Sequence, residues 1–350
     1  MSGVDTPLLE INGLTVTIGS GAANALTAVR GIDLTLRRGE SLGLVGESGA
    51  GKSLSMLSVT SLLPKTARIG GSIKLNGLEL IGLGNRELRK IRGAEVGMIF
   101  QDPMTSLNPV FTVGRQVGEA IKIHNPNMSR KEVEEASIDL LASVAIPAPK
   151  DRIGSYPFEL SGGMRQRVMI AIAIANNPAL LIADEPTTAL AVTIQAQILT
   201  LLQRLAEERE MALVLITHDL GVIAGMVDRV AVMYAGRIVE ERSTSDLFAD
   251  PLHPYTKALL ACIPRPDEGG VRIAGIPGSP AVLRPPPRGC AFAPRCSEVI
   301  PACSKTDPQL EGADGARVAC IVAVPAGSPS GPQRAGEPLP STAPTAQGTP

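Results

Sequence analysis

The stretch Gly46-Glu47-Ser48-Gly49-Ala50-Gly51-Lys52-Ser53 constrains this chain more than any other. It fits the pattern G-x-x-x-x-G-K-[ST]. In that pattern glycines let backbone N–H groups curl around a phosphate, the lysine reaches the β- and γ-phosphates, and the hydroxyl ligates magnesium. The flanking residues agree. Ser41-Leu42-Gly43-Leu44-Val45 is an apolar run suited to a parallel strand buried on both faces. A helix is expected from Ser53 to Leu63, and its N-terminal dipole favours an anion by roughly 0.3–1 kcal/mol.

A strand–loop–helix unit of this kind needs further parallel strands beside it, and the sequence supplies candidates. Val96 to Phe100, Ala179 to Ala183, Met211 to Thr217 and Val230 to Met233 are short apolar runs. Helical signals separate them. Ser129 and Glu132 form a capping box, after which Val133, Ala136, Leu140, Leu141 and Val144 share one face. Ile194, Ile198, Leu201, Leu202 and Leu205 mark a second amphipathic helix. The alternation predicts an α/β core with a mainly parallel sheet. Leu8 to Ile18, Ala28 to Leu36 and Ser72 to Asn76 alternate in polarity and read as antiparallel strands, and a helical insert is expected at about 102–160.

Three apolar runs deliver polar residues to what would be the carboxyl edge of that sheet, where such folds bind ligands. Gln101 follows the first. Asp184-Glu185 ends the second, Asp184 as the expected magnesium partner and Glu185 as the candidate base for an attacking water. His218 ends the third and is read as a γ-phosphate contact. Leu160-Ser161-Gly162-Gly163-Met164-Arg165-Gln166 then offers a second anion cradle at a helix start, and one nucleotide has no need of two.

Together these pieces resemble the ATP-binding subunit of an ABC transporter, over roughly residues 8 to 325. The resemblance implies the ABC ATPase fold with ATP and Mg2+ as ligands. It implies that Ser161, Gly162 and Gly163 contact ATP held by an opposite subunit, and that Gln101 links Mg2+ and water to the helical insert. The expected organisation is an ATPase domain over 1–263, an extension over 264–324 and a disordered Pro/Gly/Ser tail over 325–350. Phe100-Gln101-Asp102-Pro103-Met104-Thr105-Ser106-Leu107-Asn108-Pro109 is similar to the oligopeptide/dipeptide/nickel importer group. Gly163-Met164-Arg165-Gln166-Arg167-Val168-Met169-Ile170-Ala171 resembles its D-type subunit. Ile276-Pro277-Gly278 and Gly289-Cys290-Ala291-Phe292-Ala293-Pro294-Arg295-Cys296 match the peptide importers' C-terminal region, and nickel-specific members usually end before it.

The partners so implied are a second, F-type ATPase subunit, two transmembrane permease subunits and an extracytoplasmic peptide-binding protein. The implied location is the cytoplasmic face of the inner membrane, as a peripheral subunit. Transport of nickel or another small solute, and a weakly active ATP-sensing regulatory subunit, are the alternatives. A nucleic-acid partner is not expected: the formal net charge is −1 and the chain has no Trp and 2% aromatic residues. No signal peptide is recognised at the N-terminus, and no stretch is long and apolar enough to span a bilayer.

Cys290, Cys296, Cys303 and Cys320 fall in a Pro-rich region with little core, which points to a metal staple. The resemblance implies a [4Fe–4S] cluster. Zinc and reduced structural thiols stay open as alternatives. Cys262 is expected inside an apolar helix as a small buried hydrophobe. Two positions depart from the family pattern. Ile18 stands where an aromatic ring usually stacks on adenine, which predicts weaker nucleotide affinity. Ala191 replaces the aspartate expected after Thr187-Thr188-Ala189-Leu190, which predicts slower hydrolysis or looser coupling between subunits.

Overall fold

The computed structural model describes residues 6–19, 25–102, 106–188, 190–263, 275–279, 281, 287–313 and 315–323. The expected disordered tail, most of 264–286, the 103–105 part of the loop after Gln101, and Ala189 lie outside the described residues.

Among the described residues, twelve strands form two sheets. β1 (Leu9–Ile18), β2 (Leu26–Leu36), β4 (Ala67–Leu75) and β5 (Leu78–Glu79) make an antiparallel sheet ordered β2-β1-β4-β5. The second contains β3 (Ser41–Val45), β6 (Val96–Ile99), β7 (Leu180–Asp184), β8 (Ala212–Thr217), β9 (Arg229–Tyr234), β10 (Arg237–Ser243), β11 (Glu311–Ala313) and β12 (Ala316–Val318). Its order is β11-β12-β10-β9-β3-β8-β7-β6. The run β9-β3-β8-β7-β6 is parallel throughout, and the three strands at the other edge are antiparallel.

This is the α/β architecture expected from the apolar runs, and its burial shows why the runs were continuous. Leu180 and Ile182 face one hydrophobic layer, with Leu42, Leu44, Val214 and Ile216, under the antiparallel sheet. Leu181 and Ala183 face the other, with Val45, Leu213 and Leu215, under the helices. Alternating side chains on a strand point to opposite faces, so two apolar layers demand apolar residues at every position.

The helical insert comprises Val113–His124, Arg130–Ser143 and the short helix Pro149–Arg152. Both capping-box hydrogen bonds form: the Glu132 N–H donates to Ser129 Oγ at 3.3 Å and the Ser129 N–H to Glu132 Oε2 at 2.6 Å. Thr112 caps the preceding helix through the Arg115 N–H.

Three expectations need correction. The helix after the phosphate loop is Lys52–Val59, shorter than 53–63. Ser61 turns left-handed at φ 51° and the Leu62 N–H reaches back to the Leu57 carbonyl at 3.0 Å, a closure that satisfies the last carbonyls and stops the helix. β4 begins at Ala67 rather than Ser72. Gly70-Gly71 forms a bulge against Asn12–Thr15, and the ladder continues through it to Ala67. Cys262 caps the end of helix Pro254–Ala261, half-buried, with its thiol donating to the Ala258 carbonyl at 3.2 Å.

The extension joins the main sheet. β12 pairs with β10 through Glu240↔Val318 and Arg242↔Ala316. Glu240, fully buried, accepts the N–H groups of Leu252 and His253 at 2.8 Å each, which fixes the start of helix Pro254–Ala261. Among the described residues, no helix is long and apolar enough to cross a membrane.

Candidate functional site

Sheet order converts four distant sequence positions into one row. β3, β8, β7 and β6 are consecutive and parallel, so the residues after each strand emerge side by side at the carboxyl edge. They are Gly46, His218, Asp184 with Glu185, and Gln101.

The loop 46–53 begins with a residue that must be glycine. Gly46 has φ 157°, and a Cβ there would lie 2.1 Å from the Met233 carbonyl of β9. Lys52 is 5% exposed, and its ammonium donates to the carbonyls of Gly46 at 2.6 Å and Glu47 at 3.1 Å. Burial lowers its pKa, against the pull of Glu185, Asp184 and Glu47. A desolvated ammonium attracts a polyphosphate strongly, while the carboxylates beside it oppose that anion and favour a divalent cation between them. Ser53 donates to Asp184 Oδ1 at 2.9 Å. Burial raises the Asp184 pKa, helped by neighbouring Glu185 and opposed by the Ser53 hydrogen bond. A hydroxyl and a buried carboxylate side by side are hard oxygen donors, which fits magnesium.

Glu185 occupies the left-handed region at φ 45°, and its N–H donates to the Ile216 carbonyl at 3.0 Å. That turn presents the carboxylate to three donors. Gln101 Nε2 and Thr188 Oγ1 approach Oε2 at 2.8 and 3.0 Å. His218 Nδ1 lies 3.2 Å from Oε1. Burial pulls the Glu185 carboxyl upward. The His218 and Thr188 hydrogen bonds, with the charge of Lys52, prevail and hold it below the ordinary carboxylate range. Thr188 was not singled out from the sequence, although its place three residues after Glu185 in a tight turn was the available signal.

Ser161 caps helix Gly162–Ala173 by accepting from the Met164 N–H at 3.3 Å. Ideal Cβ positions on Gly162 and Gly163 would meet Leu190 and Ile194, so the helix start sits against the segment following Glu185. Among the described residues, no hydrogen bond joins Ser161 to Lys52, Ser53, Asp184 or Glu185. Ile18, at the end of β1, packs half-buried on the core beneath the antiparallel sheet. Ser48, Gly49 and Ala50 complete the loop, Ala50 buried and accepting the Gly236 N–H through its carbonyl at 2.9 Å.

The four extension cysteines converge. Cys290, Cys296, Cys303 and Cys320 line one small enclosure of about 10 Å³ with His253, Phe292 and Val322. All four are free thiols. Burial raises the pKa of Cys290 and Cys296, and the Glu298 N–H donates to Cys296 Sγ at 3.4 Å. Among the described residues, no three His, Cys, Asp or Glu are arranged to hold a metal ion. An all-thiol donor set with an N–H on sulfur and apolar walls suits soft metal chemistry.

The site also has a back wall that the sequence did not reveal. The Glu47 N–H donates to the buried Tyr255 hydroxyl at 2.9 Å, and the Glu47 carboxylate pairs with Arg295 of the extension. Tyr234, Tyr255 and Phe292 cluster behind the loop with ring centroids 4.6–5.3 Å apart.

Residues 29–188 match the ABC transporter family, and residues 239–303 match the family described as oligopeptide/dipeptide transporter, C-terminal region. The oligopeptide transport ATP-binding protein OppD of Salmonella typhimurium is 48% identical over 314 residues, covering 90% of this chain and 93% of that protein. OppD of Mycobacterium tuberculosis is 48% identical over 318 residues, and there the chain spans about half, 52%, of the relative's length. Among solved structures, the ATP-binding cassette MJ0796, a dimer bound to ADP and Pi, is 30% identical with a TM-score of 0.60, covering 67% of this chain and 98% of that one. The protein cbiO1 of Clostridium perfringens, part of the ABC transporter complex cbiONQ, is 25% identical with a TM-score of 0.59, covering 70% and 91%. The fold, the row of residues at the carboxyl edge and these likenesses agree: the chain belongs to the ABC transporter family, among the ATP-binding proteins of its oligopeptide/dipeptide branch.

Proposed function

We propose that this chain is the ATP-binding and hydrolysing subunit of an ABC importer that powers peptide uptake through separate membrane permeases. One observation carries the reading. Gln101, Asp184, Glu185 and His218 stand in a row beside the 46–53 loop, with the Glu185 carboxylate held ionised by three donors. Lys52 and the loop N–H groups other than those of Glu47 and Ala50, which are already donated within the protein, bind the β- and γ-phosphates. Ser53, Asp184 and Gln101 would hold Mg2+, which supplies charge neutralisation across the phosphates when bound. Glu185 takes the proton of the attacking water, and His218 contacts the γ-phosphate. Ile18 covers one face of adenine.

Ser161, Gly162 and Gly163 serve ATP on a neighbouring subunit, of F type in this reading, because their helix start engages none of this chain's own phosphate residues. Closure around two nucleotides and reopening after hydrolysis reach two permease subunits through the helical insert and the Gln101 loop. Val110 and Phe158, each 69% exposed, give the insert region apolar contact points. An extracytoplasmic binding protein delivers the peptide, and the subunit works at the cytoplasmic face of the inner membrane. The match of the C-terminal region to oligopeptide/dipeptide transporters favours peptide over nickel as cargo. The test is transport of labelled peptide by the complex isolated with its membrane partners. ATP-dependent accumulation supports the reading, and ATP hydrolysis that no peptide stimulates or follows would overturn the cargo.

Cys290, Cys296, Cys303 and Cys320 would hold a [4Fe–4S] cluster, supported by their convergence on one enclosure. Such a cluster would staple a region with little core of its own. Protein purified without oxygen should be brown and contain iron and acid-labile sulfide. Colourless protein with stoichiometric zinc would refute this.

A further inference from the structure

Glu47 is the sole acidic residue in the 46–53 loop, and its position is chemically awkward. A carboxylate beside a bound triphosphate repels the ligand that the loop is built to receive. The extension supplies the counter-charge. Arg295 lies 248 residues away in sequence, and its two terminal nitrogens donate to the two Glu47 oxygens at 2.7 and 2.9 Å, a bidentate fork.

Arg295 is itself held from behind. Its Nε donates to the Pro277 carbonyl at 2.9 Å and one terminal nitrogen donates to the Ile276 carbonyl at 3.2 Å. Its guanidinium lies 5.9 Å from the Tyr234 ring centroid and 6.0 Å from that of Phe292. The Arg295 side chain is 4% exposed and that of Glu47 26%, so solvent and salt reach the pair only from the Glu47 side. The Tyr255 hydroxyl takes the Glu47 N–H from the same side. Glu47 is therefore fixed at both its backbone and its carboxylate by residues outside the nucleotide-binding loop. Its carbonyl remains an acceptor for Lys52.

We propose that Arg295 is a positioning residue for the nucleotide: its fork on Glu47 holds the phosphate loop and neutralises its one carboxylate. The C-terminal extension thus completes the phosphate site of its own subunit. This rests on the ATP-binding function proposed above. It also gives a physical role to two sequence motifs of the extension, Ile276-Pro277-Gly278 and the Arg295-Cys296 pair, which meet at the guanidinium. Gly278, at φ 80°, lies under the Arg295 stem, 3.2 Å from its Cγ by an ideal Cβ.

The test is nucleotide affinity of the full chain, measured by titration with a fluorescent ATP analogue in Mg2+ buffer. Arg295→Gln should weaken Kd by at least about tenfold, the scale of hydrogen bonds to a charged group. Adding Glu47→Gln to Arg295→Gln should recover most of the loss, because the unpaired carboxylate is removed. A purely structural role for Arg295 predicts no such rescue. Arg295→Lys, which keeps the charge on a single ammonium but loses the fork, should weaken binding by more than about twofold yet less than Arg295→Gln, and serves as the test if Arg295→Gln folds poorly. Binding by Arg295→Gln or Arg295→Lys within twofold of the wild type refutes the inference, as does a double variant no tighter than Arg295→Gln. Failure of the wild-type chain to bind ATP would sink the proposed function and this inference together. Wild-type binding matched by the variants sinks this inference alone.

Discussion

Ala191→Asp should make this protein more stable, which is unusual for a substitution beside an active site. Ala191 is the N-cap of helix Val192–Glu208, with φ −63° and ψ 147°, and no side chain caps that helix. Its carbonyl already accepts the Ile194 and Gln195 N–H groups at 2.9 Å each. The Thr193 N–H, which has no hydrogen-bond partner among the described residues, is the donor an N-cap side chain would reach. The first turn carries no acidic residue, so the helix dipole is also unanswered there. An N-cap aspartate in place of alanine is worth about 1 kcal/mol, and a negative charge at an exposed N-terminus adds about 0.3 kcal/mol at low salt. For a chain of this size that is a rise of about 2 °C in melting temperature. Urea denaturation of the wild type, Ala191→Asp and Ala191→Asn separates the two contributions. Asn should keep the hydrogen-bond gain and lose the salt-sensitive part. An aspartate variant no more stable than the wild type would refute the capping argument. The same variant should hydrolyse ATP faster in the assembled complex, and an unchanged rate would count against a coupling role for this position.

Two other perturbations follow from the same geometry. Gly51→Ala forces a side chain onto φ 103° and sets its Cβ 2.7 Å from the Ala28 carbonyl. It should destabilise the fold by more than about 1 kcal/mol and weaken ATP binding, checked by melting and titration of one preparation. His253 is buried, accepts the Tyr255 N–H at Nδ1, and has its pKa pushed by burial from 6.5 down to about 4. The unfolded chain therefore takes up the proton first. Stability should be complete above pH 6.5 and fall by up to about 3 kcal/mol as the pH drops towards 4. His253→Asn, which keeps a capping acceptor, should flatten that decline, and a slope equal to the wild type's would show that other groups set it.

Much of this architecture is written locally. The runs that became β3, β7 and β8 are apolar at every position because each strand has a hydrophobic layer on both faces. Asp184, Glu185 and His218 are legible because they end such runs. Gln101 is legible by the same rule. The parts that were not legible depend on contacts between distant residues. Nothing near Glu47 announces Arg295 or Tyr255, and β11 and β12, three residues each, carry too little pattern to be recognised as strands of the main sheet. One compositional signal was available. The chain has three tyrosines and five phenylalanines, and three of these eight rings gather behind the phosphate loop.

Glu185→Gln tests the central claim most directly. Glutamine has the shape of glutamate and can turn its oxygen towards Gln101 and Thr188 while its amide faces His218, so the three contacts survive and the proton acceptor is lost. The measurement pairs phosphate release with ATP titration, on wild-type and variant complexes assembled with their partners. The account predicts unchanged or tighter ATP binding and turnover lower by about 100-fold or more, the scale of general-base catalysis. A variant that binds ATP normally and hydrolyses it within a few-fold of the wild-type rate would contradict the assignment of Glu185 as the base, and with it the chemistry assigned to this site.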